Sequence, residues 1–247
     1  NLISMFPNWL NPNKRYKDPS VGKSLNHYVL GELINKTPEE DEQEIFFGCG
    51  CFWGAEKGFW KLPGVKTTAV GYLGGRLENP SYREVCTGTT GHAEVVRVVW
   101  NKLQIDISDL LKMFWECHDP TQLNRQGNDS GSQYRSAIFT TSAYQSEISH
   151  NSLEAYQKLL IENGLGTIKT QIEKKEIFYF AEDYHQQYLA RPGSRPYCSA
   201  MPTNISLGHF KGANYKLRPS IWTNFNWEEK HCVLRSTNSP IVLENNE

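Results

Sequence analysis

Cys51 stands in a sequence context that could make its sulfur reactive. It belongs to the hexapeptide Cys49-Gly50-Cys51-Phe52-Trp53-Gly54, between a strand-like run over residues 44–48 and a helix-like run over residues 55–60. A thiol at such a junction can approach the first unpaired N–H groups of the helix and the positive end of its dipole, which stabilise a thiolate. Two bulky aromatic residues follow the thiol, and glycines flank the group. We therefore predict a reactive sulfur beside a small apolar pocket.

A carboxyl group that could supply a proton comes further along the chain. Glu94 is near the start of the strongly β-branched run of residues 93–100, which predicts a core strand. If the apolar strand removes Glu94 from water, its pKa rises, and the neutral acid can then donate a proton near neutral pH. From the spacing alone, a solvent-facing glutamate on the polar side of the strand is the more common arrangement.

Two long polar loops, residues 74–92 and 118–134, are further places where a site could be built. Loops of this polarity stay near solvent, and functional groups are often carried on them. They contain Tyr82, Asp129 and Tyr134. Without further information, ordinary turn residues and half-buried tyrosines are the more common explanation of these three residues.

The cysteines of the chain fall into groups by their context. Reduced thiols fit this long chain better than disulfide staples, because no export signal precedes them. Cys86 and Cys117 have the surroundings of small buried side chains. Cys198 lies in a loose segment with Pro and Gly, as a mobile thiol that resolves an oxidised cysteine requires. Cys232 is 34 positions further on, in a similar context.

Composition excludes several classes of function. The 247 residues have a formal net charge of −1 and no dense Lys/Arg block, which argues against nucleic acid or an anionic membrane as partner. No run reaches the roughly 18 apolar residues of a membrane-spanning helix. The first 30 residues lack the apolar centre of a signal peptide. We expect an intracellular monomer, in the cytoplasm first and in an organelle as the alternative.

The elements that would position these groups alternate along the chain. Strands are predicted over residues 65–73, 93–100 and 135–140, helices over 107–117, 143–163 and 182–190, and a strand pair over 167–173 and 176–180. This order favours a mixed central sheet with packed helices, an α/β or two-layer α+β fold with a long irregular C-terminal tail. The predicted division is an N-terminal arm (residues 1–43), a catalytic domain (44–198) and an extension (199–247).

Several short motifs, in the same order, resemble those of one enzyme family. They are Gly50-Cys51-Phe52-Trp53-Gly54, Gly71-Tyr72-Leu73-Gly74-Gly75, Asn79-Pro80-Ser81-Tyr82, Thr90-Gly91-His92-Ala93-Glu94, His118-Asp119-Pro120-Thr121-Gln122, Asn124-Arg125-Gln126-Gly127-Asn128-Asp129, Gln133-Tyr134-Arg135-Ser136 and Tyr184-His185-Gln186-Gln187-Tyr188. Each is modest alone, but together they resemble the A-type peptide methionine sulfoxide reductases over residues 44–198. This resemblance raises Glu94, Tyr82, Tyr134 and Asp129 to predicted site residues.

The resemblance implies the reduction of methionine S-sulfoxide, free or protein-bound, to methionine. In the implied reaction Glu94 protonates the sulfoxide oxygen, Tyr82 and Tyr134 hold that oxygen, and the thiolate of Cys51 attacks the sulfur. Two further roles are implied by the same resemblance: Phe52 and Trp53 form a pocket for the S-methyl group, and Asp129 orients a loop or water.

The resemblance also implies how the enzyme is recycled. Cys51 becomes a sulfenic acid, and Cys198 condenses with it to a disulfide. Thioredoxin, or a small dithiol in vitro, would reduce this disulfide directly or after exchange with Cys232. No bound cofactor and no metal are expected. The partners are therefore thioredoxin, methionine-oxidised proteins and free methionine sulfoxide.

Two features depart from the family pattern, and two other classes of function stay open. Cys49 stands where the family commonly has a small residue, and we expect it to point into the core. The tail after Cys198 is also unfamiliar. One alternative is a metal-binding module that uses Cys49, Cys51, Cys198 and Cys232, although their spacing matches no trusted zinc pattern. The other is a cysteine hydrolase that pairs Cys51 with one of the histidines at positions 92, 118 and 185.

Overall fold

The computed structural model describes residues 26–243. Within this range the strands β1 to β8 are, in chain order, Glu42–Cys49, Val65–Leu73, Ala93–Asn101, Arg125–Gln126, Asp129–Ser130, Ser136–Thr140, Gln171–Lys174 and Tyr179–Phe180. The helices α1 to α6 are Phe52–Trp60, Tyr82–Cys86, Ile107–Glu116, Ala143–Glu162, Pro219–Trp222 and Cys232–Arg235. Short 3₁₀ helices cover Ser132–Tyr134, Asp183–His185 and Tyr188–Ala190.

Six strands form one mixed sheet in the order β7-β6-β1-β3-β2-β8, and β4 pairs with β5 separately. Only the β6–β7 pair of the large sheet is parallel; the other neighbours are antiparallel. Helices pack on this sheet, which confirms the predicted α/β class. The predicted pairing of residues 167–173 with 176–180 is wrong, because β7 and β8 lie at opposite edges of the sheet. A strand pattern in the sequence does not say which edge the strand joins.

Both faces of the sheet are covered, which explains the apolar β-branched character of β3. Val96 and Val98 face the larger core together with α1, α3 and α4, while Val95 belongs to a smaller cluster on the opposite face with Phe46 and Phe139. The predicted helix over residues 182–190 is instead two 3₁₀ turns. Side chains of this segment bond the sheet edge: Gln186 both accepts from and donates to the backbone of Val70 in β2.

Two helices, α2 and α3, begin at residues whose side chains can cap them. Ser81 accepts the N–H of Glu84, and the Glu84 carboxylate accepts the N–H of Ser81 at 2.8 Å, which starts α2 at Tyr82. Asp106 and Asp109 form the same reciprocal arrangement at the start of α3. Such capping satisfies N–H groups that the helix itself cannot pair. The first of these capping boxes fixes the start of α2 and therefore the position of Tyr82.

The C-terminal extension is anchored on α3 by buried carboxylates. Asp109 accepts the backbone N–H groups of Lys216 and Leu217, and Glu116 accepts the N–H of Leu207 at 2.7 Å. Apolar side chains of the extension join the main core. They are Leu207, Phe210, Leu217, Ile221, Phe225 and Val233. The extension is irregular for most of its length, as predicted, but its described part is a packed cover of the domain.

A second set of bonds ties the end of the extension to α1. Lys57 donates to the carbonyl oxygen of Ser236 at 2.7 Å, and Lys61 donates to that of Thr237 at 2.8 Å. Burial lowers the pKa values of both lysines, and that of Lys57 falls to about 8. The extension therefore lies along the helix that begins next to Cys51.

Residues 26–41 precede the first strand and are held by Arg97 of β3. Its guanidinium donates to the carbonyl oxygens of Ile34 and Lys36 and to the Glu44 carboxylate, each at 2.7–2.8 Å. The first 25 residues of the predicted N-terminal arm lie outside the described residues. Among residues 26–243, no helix combines the length and the apolar character needed to cross a membrane.

Candidate active site

Cys51 occupies the N-cap position of α1 without a side-chain capping bond, and Gly50 separates it from the end of β1. The turn between them depends on Gly50, which has a φ of 87°. That value lies in the left-handed region that favours glycine. A Cβ at this position would also lie 2.6 Å from the side chain of Gln126. A larger residue at position 50 would therefore displace the thiol or the loop that carries Gln126.

Every residue predicted for the nucleophile, the acid and the binding of substrate lies around one open pocket of about 310 Å³. It is lined by Cys51, Phe52, Trp53, Tyr82, Glu94, Asp129 and Tyr134, and also by Tyr188, Arg195 and Tyr197. The first seven come from α1, α2, β3, β5 and the 3₁₀ turn before β6. Folding thus brings together groups that are separated by as many as 83 positions in the sequence.

Glu94 is buried at the base of this pocket, with 1% of its surface exposed. Its carboxylate accepts the backbone N–H of Phe52 at 3.1 Å. Burial is the main cause that raises its pKa to about 8; the charge of Asp129 adds to the rise, and the bond from Phe52 opposes it. Glu94 is therefore mainly protonated at neutral pH, and the alternative of a solvent-facing glutamate is wrong.

The Cys51 thiol is less acidic than its position at a helix start suggests. Burial raises its pKa well above the usual value, and the negative charges of Glu94 and Asp129 add to this effect. A backbone hydrogen bond from Trp53 lowers the pKa but does not compensate. Its position at a helix start therefore does not by itself make this thiol acidic, because desolvation disfavours the charged form and opposes the effect of the helix end.

Two tyrosines offer hydroxyl groups at the rim. Tyr82 is the first residue of α2, and its N–H donates to Glu182 at 2.7 Å. Tyr134 ends the 3₁₀ turn that leads into β6. Burial is the main cause that raises the pKa values of both hydroxyls, and the charge of Glu94 contributes. Both hydroxyls therefore remain protonated and able to donate hydrogen bonds.

The indole of Trp53 forms one wall of the pocket and is held on both sides. It stacks on Tyr188 with ring centroids 3.9 Å apart, and its N–H donates to Nδ1 of His185 at 3.1 Å. Burial lowers the pKa of His185 to about 4, so the imidazole is neutral at pH 7 and Nδ1 can accept. Tyr197 approaches the same indole edge-on.

Sequence reasoning gave four of the residues just described no role in this pocket, and it considered His185 only as a possible base for Cys51. Tyr197 donates to the Asp129 carboxylate at 2.6 Å, so the segment before Cys198 closes one side of the pocket. Tyr188, Arg195 and His185 are the others. Their sequence signal was weak, since only the position of Tyr197 next to a predicted resolving cysteine could have indicated it. The other oxygen of Asp129 is buried and has no hydrogen-bond partner among the described residues.

The predicted resolving cysteine packs against α1. A Cβ added to Gly54 would lie 2.8 Å from the sulfur of Cys198, so glycine leaves the space that this sulfur occupies. Gly54 is three residues from Cys51 on the same helix. Cys232, the first residue of α6, is half-buried and lines an adjoining cavity together with Cys198. Cys86 is exposed, so its predicted burial is wrong; α2 turns it toward solvent.

The histidines and possible metal ligands bear on the two alternative functions. His118 bonds the Phe114 carbonyl at 2.6 Å and the Ser136 hydroxyl at 2.7 Å, and His92 bonds the backbone of Gly75 and Leu77. Within residues 26–243, the hydrogen bonds of these histidines and of His185 go to groups other than Cys51. The one group of possible metal ligands found there joins Cys49, Cys117 and His118, and Cys51 is not part of it. Both ring nitrogens of His118 are already engaged.

Comparisons with known proteins agree with the geometry. A sequence model of the family described as peptide methionine sulfoxide reductase matches residues 43–215. The mitochondrial peptide methionine sulfoxide reductase of Homo sapiens is 49% identical over 206 residues, which cover 83% of this chain and 85% of the human protein. The peptide methionine sulfoxide reductase MsrA of Brucella anthropi is 49% identical over 186 residues, covering 75% of this chain and 85% of that protein.

A solved structure is also similar. Methionine sulfoxide reductase A of Corynebacterium diphtheriae is 40% identical with a TM-score of 0.68, and the match covers 82% of this chain and 99% of that one. The comparisons leave the metal-binding and cysteine-hydrolase alternatives without support. The chain belongs to the peptide methionine sulfoxide reductase family, in its MsrA class, and is an oxidoreductase that reduces methionine sulfoxide and so repairs oxidised proteins.

Proposed function

We propose that the chain reduces the S epimer of methionine sulfoxide, free or protein-bound, through attack of Cys51 on the sulfur while Glu94 protonates the oxygen. The observation that carries this proposal is the pocket that the two groups share. The carboxyl group of Glu94 has a pKa of about 8 and is therefore a proton donor at neutral pH. An acid and a sulfur nucleophile on one cavity match what a sulfoxide needs, because its sulfur is a poor electrophile until the oxygen is protonated.

The proton balance of this step is closed within the pocket. Burial raises the pKa of the Cys51 thiol, so its proton has to leave as it attacks. The sulfur of a bound sulfoxide carries positive partial charge, and an adjacent positive charge favours the thiolate. Glu94 gives its proton to the oxygen, the oxygen passes to the sulfur of Cys51, and the proton lost by Cys51 restores Glu94. The products are methionine and the Cys51 sulfenic acid.

The remaining pocket residues hold the substrate. Tyr82 and Tyr134 donate hydrogen bonds to the sulfoxide oxygen. Phe52 and Trp53 contact the S-methyl group, whose burial is worth about 0.8 kcal/mol, so the pocket selects by shape as much as by energy. Asp129 orients the loop and bound water, and its bond from Tyr197 supports a role at the pocket wall. The rigid stacking of Trp53 on Tyr188 supports a fixed methyl site.

Recycling proceeds through the C-terminal segment. Cys198 condenses with the Cys51 sulfenic acid, which forms a disulfide and releases water. The contact of Cys198 with Gly54 supports this role, because it lies beside the helix that starts at Cys51. Thioredoxin, or a small dithiol in vitro, supplies the electrons that reopen the disulfide, directly or after exchange with Cys232. This scheme uses no bound cofactor and no metal.

Substituting Cys198 with Ser is expected to preserve a single turnover. The variant should form about one methionine per chain without reductant and then stop as the sulfenic acid, since no disulfide can form for thioredoxin to reduce. Quenched-flow quantification of methionine, with thioredoxin-supported turnover as the second readout, measures both effects. Sustained thioredoxin-dependent turnover in this variant would contradict the assignment.

Separate epimers test the function itself. We expect the enzyme to consume methionine S-sulfoxide and leave the R epimer intact, with dithiothreitol and with thioredoxin. Chiral separation of the remaining sulfoxide measures this directly. Consumption of the R epimer would contradict the proposed substrate. Activity with dithiothreitol but none with thioredoxin would contradict thioredoxin as the reductant.

The chain acts as a monomer inside the cell, in the cytoplasm or in an organelle. The mammalian relatives are named as mitochondrial proteins, which supports the organelle. Light scattering of the purified enzyme and imaging of the tagged full-length protein decide the two points.

A further inference from the structure

Four of the six cysteines meet at one cavity outside the substrate pocket. This small cavity, of about 30 Å³, is lined by Cys49, Cys117, Cys198 and Cys232, with Gly54 and Ala55 of α1 beside them. The four thiols come from the end of β1, the end of α3 and two points of the C-terminal segment. The scheme above uses Cys198 and Cys232 and gives no role to Cys49 and Cys117.

Cys49 and Cys117 form a close pair. Both are buried, and their sulfur atoms lie within 4.8 Å of each other and of a ring nitrogen of His118. Disulfide formation needs sulfur atoms about 2.05 Å apart, so a small side-chain rotation into the adjoining cavity has to close the gap. The hydrogen bond from Cys49 lowers the pKa of Cys117, and His118 contributes in the same direction. A thiolate is the form that attacks a disulfide.

The pair is also within electrostatic reach of the recycling cysteines. Burial raises the pKa values of Cys198 and Cys232, and the charge of Cys117 adds to both shifts. Because Gly54 has no side chain, the sulfur of Cys198 can lie directly against α1. A disulfide that contains Cys198 is therefore formed at the cavity that contains Cys117.

We propose that Cys49 and Cys117 are a second redox-active dithiol, which takes over the disulfide formed during catalysis. The proposal rests on the function proposed above. It assigns to the enzyme an internal electron store, which frees Cys51 for another sulfoxide before an external reductant arrives.

The exchange balances in two steps. The Cys117 thiolate attacks the Cys198 sulfur of the Cys51–Cys198 disulfide, which forms a Cys117–Cys198 bond and releases the Cys51 thiolate. Cys49 then attacks the Cys117 sulfur, which forms the Cys49–Cys117 disulfide and releases Cys198. The two protons of the dithiol pass to Cys51 and Cys198. Overall, the dithiol is oxidised by two electrons and the first disulfide is reduced by two.

The test counts methionine formed per chain by fully reduced enzyme without any reductant. We expect the native enzyme to form one methionine more than Cys117→Ser, whatever the contribution of Cys232. Cys49→Ser lacks the second attacking thiol and should stop at the Cys117–Cys198 bond. Cys86→Ser, which changes an exposed thiol outside the cavity and leaves a hydroxyl that can keep the hydrogen bond with Tyr82, is the matched control and should equal the native count. Peptide mapping of the oxidised native enzyme should show a Cys49–Cys117 cross-link. The first methionine formed by each variant shows that it is folded and that Cys51 reacts.

The outcomes separate the two proposals. An equal count in the native enzyme and Cys117→Ser, or the absence of a Cys49–Cys117 cross-link from the oxidised native enzyme, would overturn the paired dithiol. A stoichiometric metal ion in the native enzyme that both variants lose would overturn it too, because the pair would then be a ligand site. An absence of any methionine from the native enzyme would instead contradict the function proposed for the substrate pocket.

Discussion

Replacing Cys51 with Ser should abolish methionine formation, with a loss of at least about 10³-fold in turnover. A serine hydroxyl in this pocket remains protonated, and an alcohol does not accept the oxygen of a sulfoxide as a thiolate does. The side chain changes by one atom, so the hydrogen bond from the backbone of Trp53 can persist. Methionine release from a methionine S-sulfoxide peptide, with dithiothreitol in excess, is the measurement.

The control for this experiment is Cys86→Ser, which replaces an exposed thiol by the same chemical change. It should retain the native rate, which shows that loss of any one thiol is not sufficient. If the Cys51→Ser enzyme still formed methionine, another thiol would be the nucleophile, and the reading of the pocket would be wrong.

Replacing Glu94 with Gln should lower kcat/KM by about 10² to 10⁴-fold, the usual contribution of a general acid. Gln has nearly the same shape, and its amide oxygen can still accept the N–H of Phe52. It cannot give a proton to the sulfoxide oxygen. Glu154→Gln, on the exposed side of α4, makes the same change away from the pocket and should leave kcat/KM unaltered.

The pH profile identifies the role of Glu94 more sharply than the rate alone. Its acid form is the active one and its pKa is about 8, so kcat/KM of the native enzyme should fall as the pH rises above 8. In Glu94→Gln this falling limb should be missing, and the rate should keep rising with pH as Cys51 ionises. Superimposable profiles for the two enzymes would remove Glu94 as the proton donor.

Local sequence patterns were sufficient for the elements and for the family. The β-branched run over residues 93–100 and the helical spacing over residues 107–117 predict β3 and α3 within one residue of their observed ends. The predicted strand over residues 65–73 has the observed bounds of β2. These patterns succeed because alternation and helical periodicity report which side chains face a core, and short motifs keep their order along the chain.

Only the tertiary structure decided which neighbours the edge strands β7 and β8 pair with. Residues 171–174 join β6 in parallel, and residues 179–180 join β2 at the far side of the sheet. Both segments have the composition of strands, and their separation by a few residues favours a hairpin. The pairing depends on which sheet edge is free, and this property belongs to the assembled sheet and not to the segment.

The sequence by itself determined that Cys51 stands at the start of a helix beside two aromatic residues, within the order of motifs of one family. Only the tertiary structure decided the acidity of the site and its walls. The pKa values of Glu94 and Cys51 are both raised because segments far apart in the chain surround these groups. Tyr197 reaches Asp129 across 68 positions for the same reason. Desolvation and long-range packing are sums over neighbours that a local pattern does not contain, and they also place Cys49 beside Cys117.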